Sequence, residues 1–323
     1  MPDDPQIHTV GGPIPAAELG VTLGHEHLRF RDDAVAAQWP RRYDDAEHFE
    51  SAVAMVELAK RHGVRTIVDP TAMNAGRDVA FMTRVAEATG VQVVACTGIY
   101  TFDKLPFYFE NRSIDVMAEH FVEDIRSGIQ GTEIRAAFIK TAADLAGITE
   151  GVEKVHRAAA RASLETGAPI MAHSCPAAGN GPKQLAIFAE EGVELSRVQI
   201  CHYGDTTDVD AIRALLDTGA YVGLDRYGSP FPPYTPARNA TTAALIRAGY
   251  LDQLILSHDY CGYIDWLPED EMAALWAKGD APGLGVGLIF ERVLPWLRTE
   301  GLLDERTFER IFVENPRRWL VGA

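Results

Sequence analysis

The tripeptide His25-Glu26-His27 places two imidazoles two residues apart. In an extended segment that spacing turns both rings to one face and sends Glu26 to the other. Two imidazoles on one face make half of a divalent-cation site, although a pair of core or loop histidines is the plainer alternative. Four more candidates lie near the ends of other apolar runs: Lys140 in "IRAAFIKTA", His173 in "APIMAHS", His202 in "RVQICHYGD" and Asp259 in "DQLILSHDY". Imidazole nitrogens and carboxylate oxygens suit zinc and similar divalent ions, with one position left open for water in a catalytic site. Lys140 is the misfit, because a lone ammonium facing a buried core is costly unless it is paired or neutral. A neutral amine that has taken up carbon dioxide becomes a carbamate, a bidentate anion able to bridge two cations. The carbamate, Asp259 and a bridging hydroxide would then balance most of the charge of two divalent ions.

The elements that would position these residues follow from the pattern. Eight short, β-branched runs recur, from "GVTLGHEHL", "VRTIVDPT" and "VQVVACTG" through the four quoted above to "AYVGLDRYG". Between most of them lie segments with helical apolar spacing, such as "EHFESAVAMVELAKRHG", "EGVEKVHRAAARASLETG" and "DVDAIRALLDTGA", several closing on Gly. Eight alternating strand and helix units predict an α/β fold, a (β/α)8 TIM barrel, spanning residues 1–323 as one domain. An open doubly wound sheet competes, but the Gly-rich turn that binds dinucleotides after a first strand is missing. The segment before residue 20 reads as a short lead-in, and residues 261–285 read as a long loop after the eighth strand. Active sites of such barrels form at the C-terminal rim of the strands, where all six candidates fall.

Thirty Lys and Arg against 46 Asp and Glu give a formal charge of -16, which argues against nucleic acid and an anionic membrane surface as partners. The N-terminus has no basic region followed by an apolar run, and no stretch is long enough to span a bilayer, so a cytoplasmic protein is expected. Cys96, Cys175, Cys201 and Cys261 are too few and too scattered for a disulfide framework and are expected to be reduced thiols.

The words "HEH", "FIKTA", "AHS", "CHYGD" and "SHDY" together resemble the phosphotriesterase family of the amidohydrolase superfamily over essentially the whole chain. Further words, "TGIYTF", "GLDRYG", "HDYCGYIDW" and "ENPRR", look most like the phosphotriesterase-like lactonases. The resemblance implies that His25, His27 and Asp259 hold the more buried of two divalent ions, zinc or zinc mixed with iron, cobalt or manganese. His173 and His202 would hold the more exposed ion, with carboxylated Lys140 between them. Tyr100 would stand beside the nucleophile, and Arg226 would line the cavity. Tyr227, Cys261 and Trp266 are further candidates for the substrate pocket. A homodimer is implied as well. After "HS" the chain reads "CPAAGN" with no histidine nearby, and the loop after Trp266 is its own, so the substrate range is open.

On this reading the enzyme is a binuclear-metal lactonase in which a bridging hydroxide attacks N-acyl-homoserine lactones or related hydrophobic lactones, a quorum-quenching activity. Asp259 shuttles the proton, and phosphotriester hydrolysis is a side activity. The alternatives are a primary organophosphate triester hydrolase, a metal-dependent nuclease on a similar barrel, and a non-catalytic lactone-binding protein. Blander expectations accompany these. Glu26 and His258 have the wrong parity for the cavity and are structural. His48, His62, His120 and His156 lie at the surface. Asp205 orients a ligand histidine or caps a helix starting near Thr206. Phe102, Phe107, Tyr108, Tyr263 and Trp266 form either an apolar entrance or an oligomer interface. "ERIFVENPRRWL" forms a last helix that stops before Pro316.

Overall fold

The computed structural model describes residues 5–279 and 283–322; the start of the lead-in and residues 280–282 of the long loop lie outside the described residues. The lead-in is an antiparallel hairpin, β1 (Gln6–Thr9) and β2 (Gly12–Pro15). Eight parallel strands follow, in an order that matches the chain: β3 (Thr22–Leu23), β4 (Thr66–Asp69), β5 (Gln92–Gly98), β6 (Phe138–Ala142), β7 (Ile170–His173), β8 (Val198–Ile200), β9 (Tyr221–Leu224) and β10 (Leu254–Leu256). They build a nearly closed (β/α)8 barrel, and each of the eight apolar runs supplies one stave.

Parity along the strands divides two cores. Ile67, Val93, Ile139, Ile170, Val198, Val222 and Leu254 point outward and pack under the helices. Val68, Val94, Phe138, Met171, Tyr221 and Ile255 point inward with Ile7, Leu19 and Trp319, which fill the lower part of the barrel. Two residues beyond Phe138 on the same face is Lys140, and two beyond Met171 is His173. The alternation that plugs the barrel below therefore delivers ligand-type side chains above.

The barrel's last seam is made differently. β3 and β10 share no ladder of their own. The chain beyond their ends does the joining: Asp259 N donates to His25 O at 3.0 Å, His27 N to Tyr260 O at 2.8 Å and Phe30 N to Tyr263 O at 2.8 Å. Gly24 permits the approach, because a Cβ there would stand 2.5 Å from Ile255 Cγ2. Gly98 serves likewise between β5 and β6: its φ is +113° and a Cβ would lie 2.0 Å from Lys140 O.

Helix ends follow sequence signals. Asp44 caps Asp45–Arg61, Thr149 caps Glu150–Thr166, and Asp208 caps Val209–Leu216; the second closes on Gly167 in the left-handed region. The long loop contains a short helix, Glu269–Trp276. Two expectations are corrected. The last helical segment does not stop before Pro316. It runs from Glu305 to Val321 through a π-helical stretch at Arg310–Glu314, with Pro316 in the first turn of the next α-helical stretch, where its missing N–H costs little. His48 and His156 are buried, not superficial. Among the described residues no helix is long and apolar enough to cross a membrane.

His156 Nδ1 meets Val152 O at 2.7 Å and its Nε2 meets the Gln184 amide at 3.0 Å, so the ring is satisfied while neutral. Burial lowers its pKa from 6.5 to about 4. The unfolded chain binds this proton first, so the associated stability is complete above about pH 6.5 and drains away as the pH falls towards about 4. His156→Gln should flatten the dependence of the denaturant midpoint on pH between those limits; an unchanged slope would remove this histidine from the acid sensitivity of the fold.

Candidate active site

Lys140 from β6, His173 closing β7, His202 just past β8, Asp259 past β10, and His25 and His27 past β3 converge at the rim. Asp259 Oδ1 lies 3.2 Å from His25 Nε2 and 3.3 Å from His27 Nε2. Lys140 Nζ lies 3.4 Å from His25 Nε2, and His202 Nε2 lies 2.9 Å from His173 Nδ1. His202 and Asp259 both adopt left-handed backbone, with φ of 65° and 52°. Such conformations cost about 1–3 kcal/mol each and persist only where neighbours impose them. Here His202 N is held by Asp225 Oδ1 at 2.8 Å, and Asp259 N by His25 O at 3.0 Å.

Carboxylate partners fix which nitrogen carries the proton on three of the four rings. Asp225 is fully buried, and its Oδ2 accepts from His25 Nδ1 at 2.9 Å while its Oδ1 accepts from His202 Nδ1 at 3.0 Å. Gly223 leaves room for this carboxylate, since a Cβ there would stand 2.3 Å from Asp225 Oδ2. His173 Nε2 donates to Asp144 Oδ2 at 3.0 Å, and His27 Nδ1 meets Thr71 Oγ1 at 2.7 Å. The opposite nitrogens of those three rings, His25 Nε2, His202 Nε2 and His173 Nδ1, are left as lone pairs, whereas the Thr71 hydroxyl can donate or accept and His27 Nε2 stands 3.3 Å from Asp259 Oδ1. Two lone pairs 2.9 Å apart, on His173 and His202, repel unless a cation sits between or beside them. The donor set therefore fits divalent metal ions, and the groupings of His25 with His202 and Asp259, and of His25 with Cys201 and Asp225, have the compactness that such ions need.

Electrostatics point the same way. Burial, then the Lys140 charge, lowers the His25 pKa to about 4; burial and Arg226 hold His202 well below its ordinary range, and burial lowers His173. Neutral imidazole is the form that ligates. Burial alone would raise Asp259, but His25, His202 and Arg226 outweigh it and keep the carboxyl far below its usual value. Asp144 is held down at about 2 chiefly by its hydrogen bond from His173. Lys140 is wholly buried, and among the described residues no carboxylate lies within 4.0 Å of its Nζ.

A cavity of about 620 Å³ opens above this cluster, lined by Tyr100, Arg226, Cys261 and Trp266 as well as by His27 and His173. Tyr100 OH lies 3.2 Å from His173 Nδ1, and burial, then Asp259, raise the phenol's pKa. Arg226 Nε donates to Asp259 Oδ2 at 2.9 Å, and its NH1 to Asp205 Oδ2 at 2.8 Å. Tyr227 goes elsewhere: it is buried, its hydroxyl meets Thr242 Oγ1 at 2.7 Å, and it lines a separate cavity of about 430 Å³ behind the long loop. Asp205 neither orients a histidine nor caps a helix, since Arg226 and Arg238 hold it and the next helix starts at Val209. Phe102 reaches the cavity, Trp266 is 56% exposed at its mouth, and Tyr263 stacks on His48 instead. Cys201 is buried against Asp225, and burial first pushes its thiol pKa up.

Asp225 and Asp144 were not singled out by the sequence reading. Asp225 follows β9 at the same rim as the candidate ligands, two residues beyond Gly223 and on the same face, so parity alone marks it.

A (β/α)8 barrel with clustered imidazoles, a carboxylate and a buried lysine at its C-terminal rim defines a metal-dependent hydrolase. Comparison with known proteins makes the class specific, since the sequence profile of the Phosphotriesterase family matches residues 5–320. The chain is 47% identical over 309 residues to a protein of Saccharolobus solfataricus named Aryldialkylphosphatase, covering 95% of this chain and 96% of that one. It is 40% identical over 326 residues to the Phosphotriesterase homology protein of Mycobacterium tuberculosis, covering 97% of each. The structure of the phosphotriesterase from Mycobacterium tuberculosis superposes with a TM-score of 0.91 at 39% identity, covering 98% of both chains. The chain belongs to the phosphotriesterase family.

Because Asp225 fixes two rings at once, Asp225→Ala should weaken metal binding by about 10–100-fold. Metal content after dialysis against a graded metal buffer measures it; binding unchanged within about twofold would show that the rings are held by packing alone.

Proposed function

We propose that the protein hydrolyses small uncharged phosphotriesters, aryl dialkyl phosphates first among them, with two divalent ions held by His25, His27 and Asp259 and by His173 and His202. Zinc, alone or mixed with iron, cobalt or manganese, suits this nitrogen and oxygen set. Lys140 lies between the two groups as a carbamate in this reading. The observation that carries it is the buried lysine, which has no carboxylate within 4.0 Å among the described residues and stands 3.4 Å from the unprotonated Nε2 of His25. When bound, the metals supply Lewis acidity and a water of lowered pKa.

The chain's own residues do the rest. Asp259, kept ionised, can take the proton released as water adds to the ester and pass it towards the leaving group. Arg226 spans Asp259 and Asp205 and fixes the orientation of the first of these. Tyr100 presents its hydroxyl beside His173, where it can orient an ester oxygen. Asp32, Asp144, Asp205 and Asp265 line the same cavity, Asp144 paired with His173 and Asp205 with Arg226 and Arg238.

The name of the Saccharolobus relative, at 47% identity, supports placing phosphotriesters ahead of lactones, against the order that the sequence words suggested. Hydrophobic lactones, including N-acyl-homoserine lactones, are the second reading, favoured by the apolar mouth formed by Phe30, Phe102, Phe231 and Trp266, which would suit an acyl chain. A homodimer in the cytoplasm belongs to the same proposal, the dimer resting on resemblance alone and the compartment in keeping with four free cysteines.

One fully metallated preparation should show a higher kcat/KM for an aryl dialkyl phosphate than for an N-acyl-homoserine lactone. A preference for the lactone would reverse the order, and ligand binding with neither ester cleaved would reduce the protein to a binder. Lys140→Ala should lose most of its metal and activity and regain part of both in the presence of a short-chain carboxylic acid. Unchanged metal content in that variant would contradict the bridging role.

A further inference from the structure

Glu26 sits between His25 and His27 but faces away from the cavity, fully buried. Its carboxylate gathers the chain on both sides of Asp259. Oε1 accepts from Ser257 Oγ at 2.8 Å, from His258 N at 3.0 Å and from His258 Nδ1 at 2.7 Å; Oε2 accepts from Tyr260 N at 2.8 Å. Ser257 Oγ in turn accepts from His25 N at 3.0 Å, closing a ring of bonds across the seam. His258 Nε2 accepts from Ile289 N at 3.3 Å, which ties the same carboxylate to the start of the π-helical stretch Ile289–Val293. Residues 257, 258 and 260 are thus all anchored to one side chain, and the residue left between them, Asp259, is turned to a φ of 52° with its carboxylate inward.

We infer that Glu26 is a positioning residue for Asp259: it clamps the backbone on both sides of that aspartate, holds it in the left-handed conformation, and so fixes where its carboxylate meets His25 and His27. The inference rests on the reading of Asp259 as a metal ligand. No neighbour other than Glu26 receives bonds from both sides of Asp259 among the described residues, and a β-segment alone would not hold an aspartate in that conformation.

The test uses metal-loaded protein and follows metal release to a chelator, with kcat, KM and melting temperature measured alongside. Glu26→Gln keeps an acceptor for Ser257 and His258 but turns an NH2 group towards Tyr260 N; Ser257→Ala removes the link to His25. Each should release metal about tenfold faster than the parent, with KM little changed and kcat restored by added metal. Glu26→Ala, which loses all four bonds, should be worse than either. If Glu26→Ala does not fold, the two milder variants decide. Metal release within about twofold of the parent in both, even with a lowered melting temperature, would make Glu26 a merely structural residue and overturn the inference. Asp259→Asn separates the two levels of argument. Full metal retention there would sink the ligand reading itself, whereas metal loss there with unaffected Glu26→Gln and Ser257→Ala variants would sink this inference alone.

Discussion

A single buried carboxylate, Asp225, accepts hydrogen bonds from His25 and from His202, and the arrangement of the site depends on that sharing. Each imidazole gives its Nδ1 proton to the same acid, so each must present an unprotonated Nε2 to the cavity. Burying a carboxylate without partners would be prohibitive; with three donors, two from rings and one from the His202 backbone, it becomes a fixed reference between the ends of β3, β8 and β9. The glycine at position 223 belongs to this interaction as much as the histidines do, because any side chain there would occupy the space of the carboxylate.

Around that reference the barrel separates tasks by depth. The lower interior is closed by Phe138, Met171, Trp319 and the N-terminal hairpin and contributes apolar burial. The upper interior contributes almost none and instead carries backbone strain at His202 and Asp259. Stability gained below offsets strain held above, which is the arrangement expected where a rigid scaffold serves chemistry.

Much of this was legible in the sequence because parity is a strong constraint. Each apolar run could be assigned to a strand, and once Phe138 points inward Lys140 must follow. The H-x-H spacing likewise turned Glu26 away from the cavity, as the structure has it. What parity does not reveal is who pairs with whom across the barrel. Asp205 read as a partner for a ligand histidine or as a cap for a following helix, whereas its partners, Arg226 and Arg238, lie beyond the next strand. Tyr227 was grouped with Arg226, yet consecutive residues turn to opposite sides, and its phenol went to Thr242. His156 was expected outside because helical histidines usually lie at the surface; the Val152 carbonyl and Gln184 that accommodate it indoors are a tertiary fact. Pro316 misled for another reason, since a π-helical turn lets a helical path absorb a proline that an unbroken α-helix would refuse.

The joint between β3 and β10 is fastened by the very loops that carry His25, His27 and Asp259, not by a strand ladder. Closure of the cylinder and occupancy of its centre therefore become one event. Stripping the centre with a chelator would loosen a structural weld, so the first amides to exchange with solvent should be those along this joint, while the opposite wall, laddered from β5 to β9, stays shut.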